Sequence, residues 1–436
     1  MEVLSVIGTG YLGTTHATCM ASLGYTVIGV DSDREKVARL SHGELPFYEP
    51  GLEELLREQL ASGRLTFTSD FSDLAKADIH FICVGTPQKE DSLAADLSYV
   101  ESAIESITPF LKSGSLVVGK STVPVGTAEA LSKKLADRAP TAELAWNPEF
   151  LREGFAIEDT LRPNRIVVGV ASENAEEILR KVYAPLLEGG TPWIKADLPT
   201  SELVKVAANS FLATKISFIN AMAEVCEAAD ADVTVLAEAI GYDPRIGNKF
   251  LQAGIGFGGG CLPKDIRAFM ARADELGANQ ALEFLREIDA INLRARQRVI
   301  EVVRKLLGED LSGFKIAVLG AAFKPDSDDV RDSPALDIAS QLHASGAHIT
   351  VHDPKAIENA KMRFPALTFA NNIFDAFLDA DLVLHLTEWR EYRELDPSDL
   401  IRRVKRPLIL DGRNALDRER WIRSGWTFHG LGRSSR

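Results

Sequence analysis

The chain has 436 residues, a length that predicts two or three domains and excludes a single small one. Asp and Glu number 63 against 49 Lys and Arg, a net charge of −14. A surface of that sign repels phosphate backbones and anionic lipid, so neither nucleic acid nor membrane is an expected partner.

No apolar run reaches the ~18 residues that a membrane span requires. The first strand-like residues begin at Val3, which leaves no room for a signal peptide. Cys19, Cys83, Cys226 and Cys261 follow neither a disulfide framework nor metal-ligand spacing. They predict a reducing, cytoplasmic setting and no metal site.

Val3–Ile7 reads as an apolar strand that runs into Gly8-Thr9-Gly10-Tyr11-Leu12-Gly13 and then a small-residue helix ended by Gly24. A second strand, Thr26–Val30, stops at Asp31. Strand, glycine loop, helix, strand and acid arrive in the order of a dinucleotide-binding βαβ unit. Gly8 supplies the tight turn, Gly10 lets a pyrophosphate approach the backbone, and Gly13 permits close helix-on-strand packing. Asp31 is placed to accept from a ribose hydroxyl and to repel a 2′-phosphate, even with Arg34 nearby, which predicts NAD as the cofactor.

Further strands are expected at residues 79–84 and 116–119, ending in Thr86 and in Ser121-Thr122-Val123-Pro124. Ligands of open α/β sheets sit at the carboxyl ends of strands, so Thr86 and Thr122 point at the cofactor crevice, although both also fit ordinary turn chemistry. The Leu65-Thr66-Phe67 to Ile79 stretch is echoed by Leu367-Thr368-Phe369 to Leu382. Residues 316–320 and 348–353 likewise mirror the first strand-loop-strand unit. In the copy the fingerprint has decayed to Gly320-Ala321-Ala322-Phe323-Lys324, which loses the phosphate turn and gains a cation.

Two long helices are expected between the copies, at Thr200 to about Asp230 and at Ala281 to about Leu307. Helices of that length joining two domains predict a homodimer through the middle segment. Phe211, Phe218 and Met222 read there as ordinary packing residues. The fold class is therefore α/β, two Rossmann-like doubly wound domains joined by a long central helix. Boundaries fall at residues 1–198, 199–308 and 309–436.

Chemistry concentrates at Cys261, preceded by Gly256-Phe257-Gly258-Gly259-Gly260 and followed by Leu262-Pro263-Lys264-Asp265. Pro263 suits a helix start. A thiol near a helix N-terminus and a lysine has its thiolate favoured, and the glycines leave space for a substrate carbon. A packed thiol in a glycine-rich turn is the plainer alternative. Lys205 and Asn209 stand four positions apart on the central helix and share a face. Together they suit an oxyanion, and equally a solvated helical stripe.

The glycine loop, Ser121–Pro124, Asn147-Pro148-Glu149-Phe150-Leu151-Arg152-Glu153-Gly154, Lys205 with Asn209, and Gly258–Asp265 together closely resemble the UDP-glucose/GDP-mannose dehydrogenase family. The likeness continues through Phe323-Lys324-Pro325-Asp326 and Asp411-Gly412-Arg413, so it covers nearly the whole chain. Within the family, Arg245–Leu251 and Glu149–Gly154 look most like the branch that oxidises UDP-glucose. GDP-mannose or a UDP-N-acetylhexosamine stays open as the substrate.

The resemblance implies a four-electron oxidation of a primary alcohol to a carboxylate, with two NAD molecules used in turn. Cys261 would form a thiohemiacetal and then a thioester, with Lys205 and Asn209 stabilising oxygen charge. Thr122, Glu149 and Asp265 would order the hydrolytic water, the base among them unassigned. For the cofactor the family positions are Gly8, Gly10, Tyr11, Leu12, Gly13, Asp31, Lys36, Thr86, Thr122, Glu153, Lys264 and Arg331. Lys36 stands where many relatives carry Arg, a weaker grip. For the nucleotide-sugar substrate they are Glu149, Phe150, Leu151, Arg152, Glu153, Lys205, Asn209, Phe250, Leu251, Gln252, Ala253, Gly254, Gly258, Lys324 and Arg413. Arg245 would reach into the partner subunit's site, and the family assembles as dimers or dimers of dimers. A two-electron β-hydroxyacid dehydrogenase would leave the Cys261 loop and the second Rossmann-like domain unexplained.

Overall fold

Strands form where short β-branched and apolar runs sit between turn residues, and the central stretches of each sheet are covered on both faces. The computed structural model describes residues 2–433. Its contacts divide the chain into two compact units, residues 1–208 with 267–277, and residues 209–266 with 278–436.

Among the described residues the first unit holds an eight-stranded sheet of β1 (Val3–Ile7), β2 (Thr26–Val30), β3 (Leu65–Thr68), β4 (Ile79–Ile82), β5 (Leu116–Gly119), β6 (Glu143–Trp146), β7 (Ile166–Gly169) and β8 (Trp193–Ala196). The order is β3-β2-β1-β4-β5-β6-β7-β8, parallel except where β6 meets β7. Side chains alternate between faces. Leu4, Val6 and Phe81 pack into one core with Met20 and Leu56, whereas Ile7 and Ile82 pack into another with Ile104 and Leu131. Strand order reverses between β1 and β4, which opens a crevice at their carboxyl ends, the position where such sheets bind ligands.

The second unit carries a six-stranded parallel sheet of β9 (Lys315–Leu319), β10 (His348–His352), β11 (Thr368–Phe369), β12 (Leu382–His385), β13 (Leu408–Asp411) and β14 (Thr427–Gly430). Its order, β11-β10-β9-β12-β13-β14, repeats the switch of the first sheet between β9 and β12. Two Rossmann-like domains and a long central helix, Leu198–Ala228, are thus both present.

Two expected helices shift at their starts. The central one begins at Leu198 because the Asp197 carboxylate accepts from the Thr200 amide at 2.7 Å. The later one spans Phe284–Leu307, since Asn279–Leu282 tightens into a 3₁₀ turn. Phe211 and Phe218 are 67% and 47% exposed in the single chain, on the outer side of the central helix with Val225, seven residues further on. Met222 is half-buried. Among the described residues no helix is long and apolar enough to cross a membrane.

Candidate active site

The first strand is followed by Gly8, whose φ of +87° is open only to glycine at low cost. A Cβ at Gly13 would lie 1.8 Å from the Gly8 carbonyl oxygen, so the helix Tyr11–Ser22 reaches the strand only because position 13 is glycine. At Gly10 an added Cβ would meet nothing within 4 Å, which leaves the helix N-terminus and its amides approachable by an anion. Asp31 accepts from the Thr9 amide at 2.8 Å and the Asp33 amide at 3.0 Å, and pairs with Lys36 at 2.9 Å. Burial opposes its ionisation, but these donors outweigh that and hold the carboxyl below its ordinary range. Open backbone, helix terminus and strand-end acid fit a dinucleotide, and Gly8 to Gly13 with Asp31 are the residues that would hold one.

Tyr11 is pinned from outside the loop. Its hydroxyl donates to Glu49, which also accepts from the amides of Gly154 at 2.6 Å and Ala156 at 2.8 Å. Burial first and Glu49 second push the phenol far above its usual range, so it stays a neutral donor. Glu153, half-buried beside Gly154, adds to that shift. Leu12 is half-buried on the same helix. The Thr86 hydroxyl donates to the Thr122 carbonyl at 2.8 Å, tying the turns after β4 and β5 together.

Glu149 is held on every side. Its Oε1 accepts from the amides of Phe150 at 2.8 Å and Leu151 at 3.1 Å, and its Oε2 pairs with the buried Lys120 at 3.0 Å. Lys120 also donates to Asn147 Oδ1 at 3.0 Å, where the Tyr183 hydroxyl donates at 2.6 Å. Burial would raise the Glu149 carboxyl, yet Lys120, the Phe150 amide and Lys205 together hold it below its ordinary range. A carboxylate so fixed orients neighbours better than it accepts protons. The Lys205 ammonium lies 5.4 Å from the Phe150 ring centroid. Arg152 pairs with Asp159 at 2.7 Å at the surface.

In the second unit Cys261 is exposed and immediately precedes the helix Leu262–Glu275. Its carbonyl accepts from the Asp265 amide at 2.9 Å. Asp265, 2% exposed, accepts from Asn209 Nδ2 at 2.7 Å and pairs with Lys264 at 2.6 Å. The loop before the thiol is anchored residue by residue. Asn220 Oδ1 accepts from the Gly254 amide at 2.8 Å. Asn292 accepts from the Phe257 amide at 2.7 Å and donates to its carbonyl at 3.0 Å, as a neighbouring strand would. Arg413 donates to the carbonyls of Leu386 at 2.8 Å and Gly256 at 3.0 Å.

A Cβ on Gly258 would fall 2.2 Å from the Asp332 carbonyl oxygen, one on Gly259 2.7 Å from the Phe323 ring, and one on Gly260 2.3 Å from the Arg331 guanidinium carbon. These glycines are filled from behind by Phe323 and Arg331, which brings two expected ligand-contact regions against the Cys261 loop. Lys324 lies over the Phe323 ring at 5.5 Å. Phe250 has a φ of +64° and is exposed; Leu251 and Ala253 are buried, and Gln252 donates to the Arg413 carbonyl at 2.9 Å. Arg245 stands apart, 87% exposed and paired with Asp243.

Residues 2–187 match the NAD binding domain of the UDP-glucose/GDP-mannose dehydrogenase family, 199–294 its central domain and 317–418 its UDP binding domain. The chain belongs to the UDP-glucose/GDP-mannose dehydrogenase family. It is 41% identical to the UDP-glucose 6-dehydrogenase of Rhizobium meliloti over 99% of both chains. A UDP-glucose dehydrogenase structure from Pyrobaculum islandicum superposes with a TM-score of 0.90 at 37% identity, covering 99% of this chain and 98% of that one. A UDP-D-ManNAc dehydrogenase structure from Pyrococcus horikoshii gives 0.87 at 27% identity over both whole chains.

Glu49, Lys120, Asn220 and Asn292, which brace the candidate site, were not legible in the sequence. Each acts on a backbone group or on another side chain far along the chain, and leaves no local spacing to read. Lys120 alone gave a signal, a charge at the end of an apolar strand directly before Ser121.

Proposed function

We propose that the chain oxidises UDP-glucose to UDP-glucuronate with NAD, by four electrons and through covalent attachment to Cys261. The observation that carries this reading is the full-length 41% identity to a UDP-glucose 6-dehydrogenase, joined to an exposed thiol at a helix start. Bound NAD would accept a hydride in each of the two oxidations. In the first, the C6 alcohol loses a hydride and a proton to give an aldehyde. Cys261 adds its sulfur to that carbon as a thiohemiacetal, and loss of a second hydride and proton leaves a thioester. Water then breaks the carbon–sulfur bond, returning the thiol and the carboxylate. The balance is one alcohol, two NAD⁺ and one water giving one carboxylate, two NADH and three protons.

Lys205 and Asn209 stabilise charge on the reacting oxygen in both oxidations, with Asn209 oriented by Asp265. Thr122, Asp265 and Glu149 order the hydrolytic water. Both oxygens of Glu149 and both of Asp265 are engaged, so the base is assigned to neither. Gly8 to Gly13, Asp31, Lys36, Thr86, Glu153, Lys264 and Arg331 bind the cofactor. The Phe250–Gly254 segment, Gly258, Lys324 and Arg413 bind the nucleotide sugar.

Phe211, Phe218 and Val225, exposed at seven-residue intervals on the central helix, support a homodimer through that face, with Arg245 reaching the partner's site. Buried thiols at Cys19, Cys83 and Cys226 support a reducing, cytoplasmic setting.

The test is NADH yield with UDP-glucose as sole substrate. Two NADH per sugar nucleotide are expected. A yield of one with aldehyde accumulating overturns the covalent mechanism, and faster turnover of GDP-mannose or a UDP-N-acetylhexosamine overturns the substrate assignment.

A further inference from the structure

The helix Thr127–Arg138 starts at Gly126, in the left-handed region at φ +92°, and has no capping side chain of its own. Helices usually satisfy their first amides with a local Ser, Thr, Asp or Asn. Here Glu202 does so from the central helix. Its Oε2 accepts from the Gly126 amide and its Oε1 from the Ala128 amide, both at 2.7 Å, with the residue only 1% exposed. Arg272 completes the hold by donating to the Val125 carbonyl at 2.8 Å.

Upstream the same turn is tied to the end of β4. Ser121 Oγ donates to the Val84 carbonyl at 2.7 Å and Thr86 to the Thr122 carbonyl at 2.8 Å. Thr122 therefore sits on a short segment anchored at both ends, one end by a side chain that lies one helical turn before Lys205.

We infer that Glu202 is a positioning residue for the oxidation: it clamps the Val123–Ala128 turn to the central helix and so fixes Thr122 relative to Lys205. This rests on the roles proposed above for Thr122 and Lys205. Glu202 touches neither substrate nor cofactor in this scheme. Its two oxygens replace a missing helix cap and carry the loop's position into the helix that bears the ammonium.

The clamp has a titration built into it. Burial pushes the Glu202 carboxyl up to about 7, with the Ala128 and Gly126 amides and Arg272 drawing it down and Glu129 adding to the rise. Protonation puts a hydrogen on one of two oxygens that each face an N–H, so one of the two bonds is lost as pH falls through that value.

Glu202→Gln, which places an amide NH₂ against one N–H, tests the proposal. Hydrogen exchange at the Gly126 and Ala128 amides is expected to quicken about tenfold, and kcat for NADH formation to fall about tenfold, with NAD affinity within about threefold of wild type. The wild-type kcat profile should show an inflection near pH 7 that Glu202→Gln lacks. Unchanged exchange, unchanged kcat, or an inflection that persists in the variant each overturns the positioning role.

If Glu202→Gln does not fold, two measurements stand in for it. Glu202→Asp keeps the charge but shortens the reach, and wild-type amide protection compared at about pH 8 and about pH 6 needs no variant. Should wild type yield no NADH from UDP-glucose, the substrate assignment fails, while the exchange data, which need no substrate, still decide whether the clamp exists.

Discussion

The two Rossmann-like sheets start from one plan and diverge after their first strands. β1 and β9 are each followed by a glycine of positive φ, Gly8 at +87° and Gly320 at +115°. Each second strand is followed by an aspartate that accepts from amides of the glycine loop. Asp31 takes Thr9 at 2.8 Å; Asp353 takes Ala321 at 2.7 Å and Ala322 at 3.0 Å.

From there the first unit begins its helix at Tyr11, and Gly10 keeps the backbone open. In the second, residues 320–333 intervene before the helix Pro334–Ala344, and they carry Phe323, Lys324 and Arg331 toward the Cys261 loop. Asp353 also accepts from the Lys355 and Ala356 amides and the Trp389 indole, and is 1% exposed. Asp31 is 8% exposed and holds Lys36 as well. One acid has become a closed knot, whereas its counterpart remains at the rim of a crevice. The two sheets thus share their strand-end turn chemistry while the loops that follow it differ.

The largest effect that would break this comparison is on stability. Asp353→Ala strips an acceptor from four backbone amides and an indole, so a loss of about 3–5 kcal/mol is expected in urea denaturation. Asp31→Ala is expected to cost about 1–2 kcal/mol, because its environment is wetter and Lys36 can be solvated instead. Equal losses would mean that the two acids do the same work.

Acid lability is shared by the two sheets, since burial lowers the imidazoles of His352 on β10 and His429 on β14 as well as that of His80 on β4. His80 on β4 is fully buried against Ser5 at 2.8 Å, and burial pushes its imidazole down to about 4. The folded protein therefore resists a proton that the unfolded chain takes up near 6.5, so stability falls as pH drops from about 6.5 toward about 4. Between pH 7 and pH 5 the loss should be about 2 kcal/mol. His80→Gln removes the titration, and its urea midpoint should move less over that interval than that of wild type. Parallel shifts in both proteins would place the acid sensitivity elsewhere.

What the sequence revealed and what it withheld divide along one physical line. The Gly8–Gly13 loop, Asp31 and the Cys261 helix start were legible because each is a local pattern whose backbone needs specific residue types. The second sheet was legible through the echo of residues 65–79 in 367–382. Glu49, Glu202 and Asn292 were not, because their partners are backbone amides of Gly154, Gly126 and Phe257, and any residue offers the same N–H. Lys120 and Glu149 form an ion pair that neither position announces alone. Phe211 and Phe218 were legible in part, because apolar periodicity on a helix reports a shared face without saying what covers it.

A reciprocal pair tests the comparison at its point of divergence, where Gly10 corresponds to Ala322. Gly10→Ala adds a methyl into space that no chain atom occupies, so stability should change by less than about 1 kcal/mol. The same methyl sits where a pyrophosphate must approach the backbone, and KM for NAD should rise about tenfold with KM for UDP-glucose unchanged. Ala322→Gly removes a fully buried methyl and loosens the chain, at a cost of about 1 kcal/mol, and should leave KM for NAD alone. If Ala322→Gly instead weakened NAD, the second loop would take part in holding the cofactor. If Gly10→Ala left NAD binding intact, the open edge at Gly10 would be incidental, and the first loop would hold the cofactor through Asp31 alone.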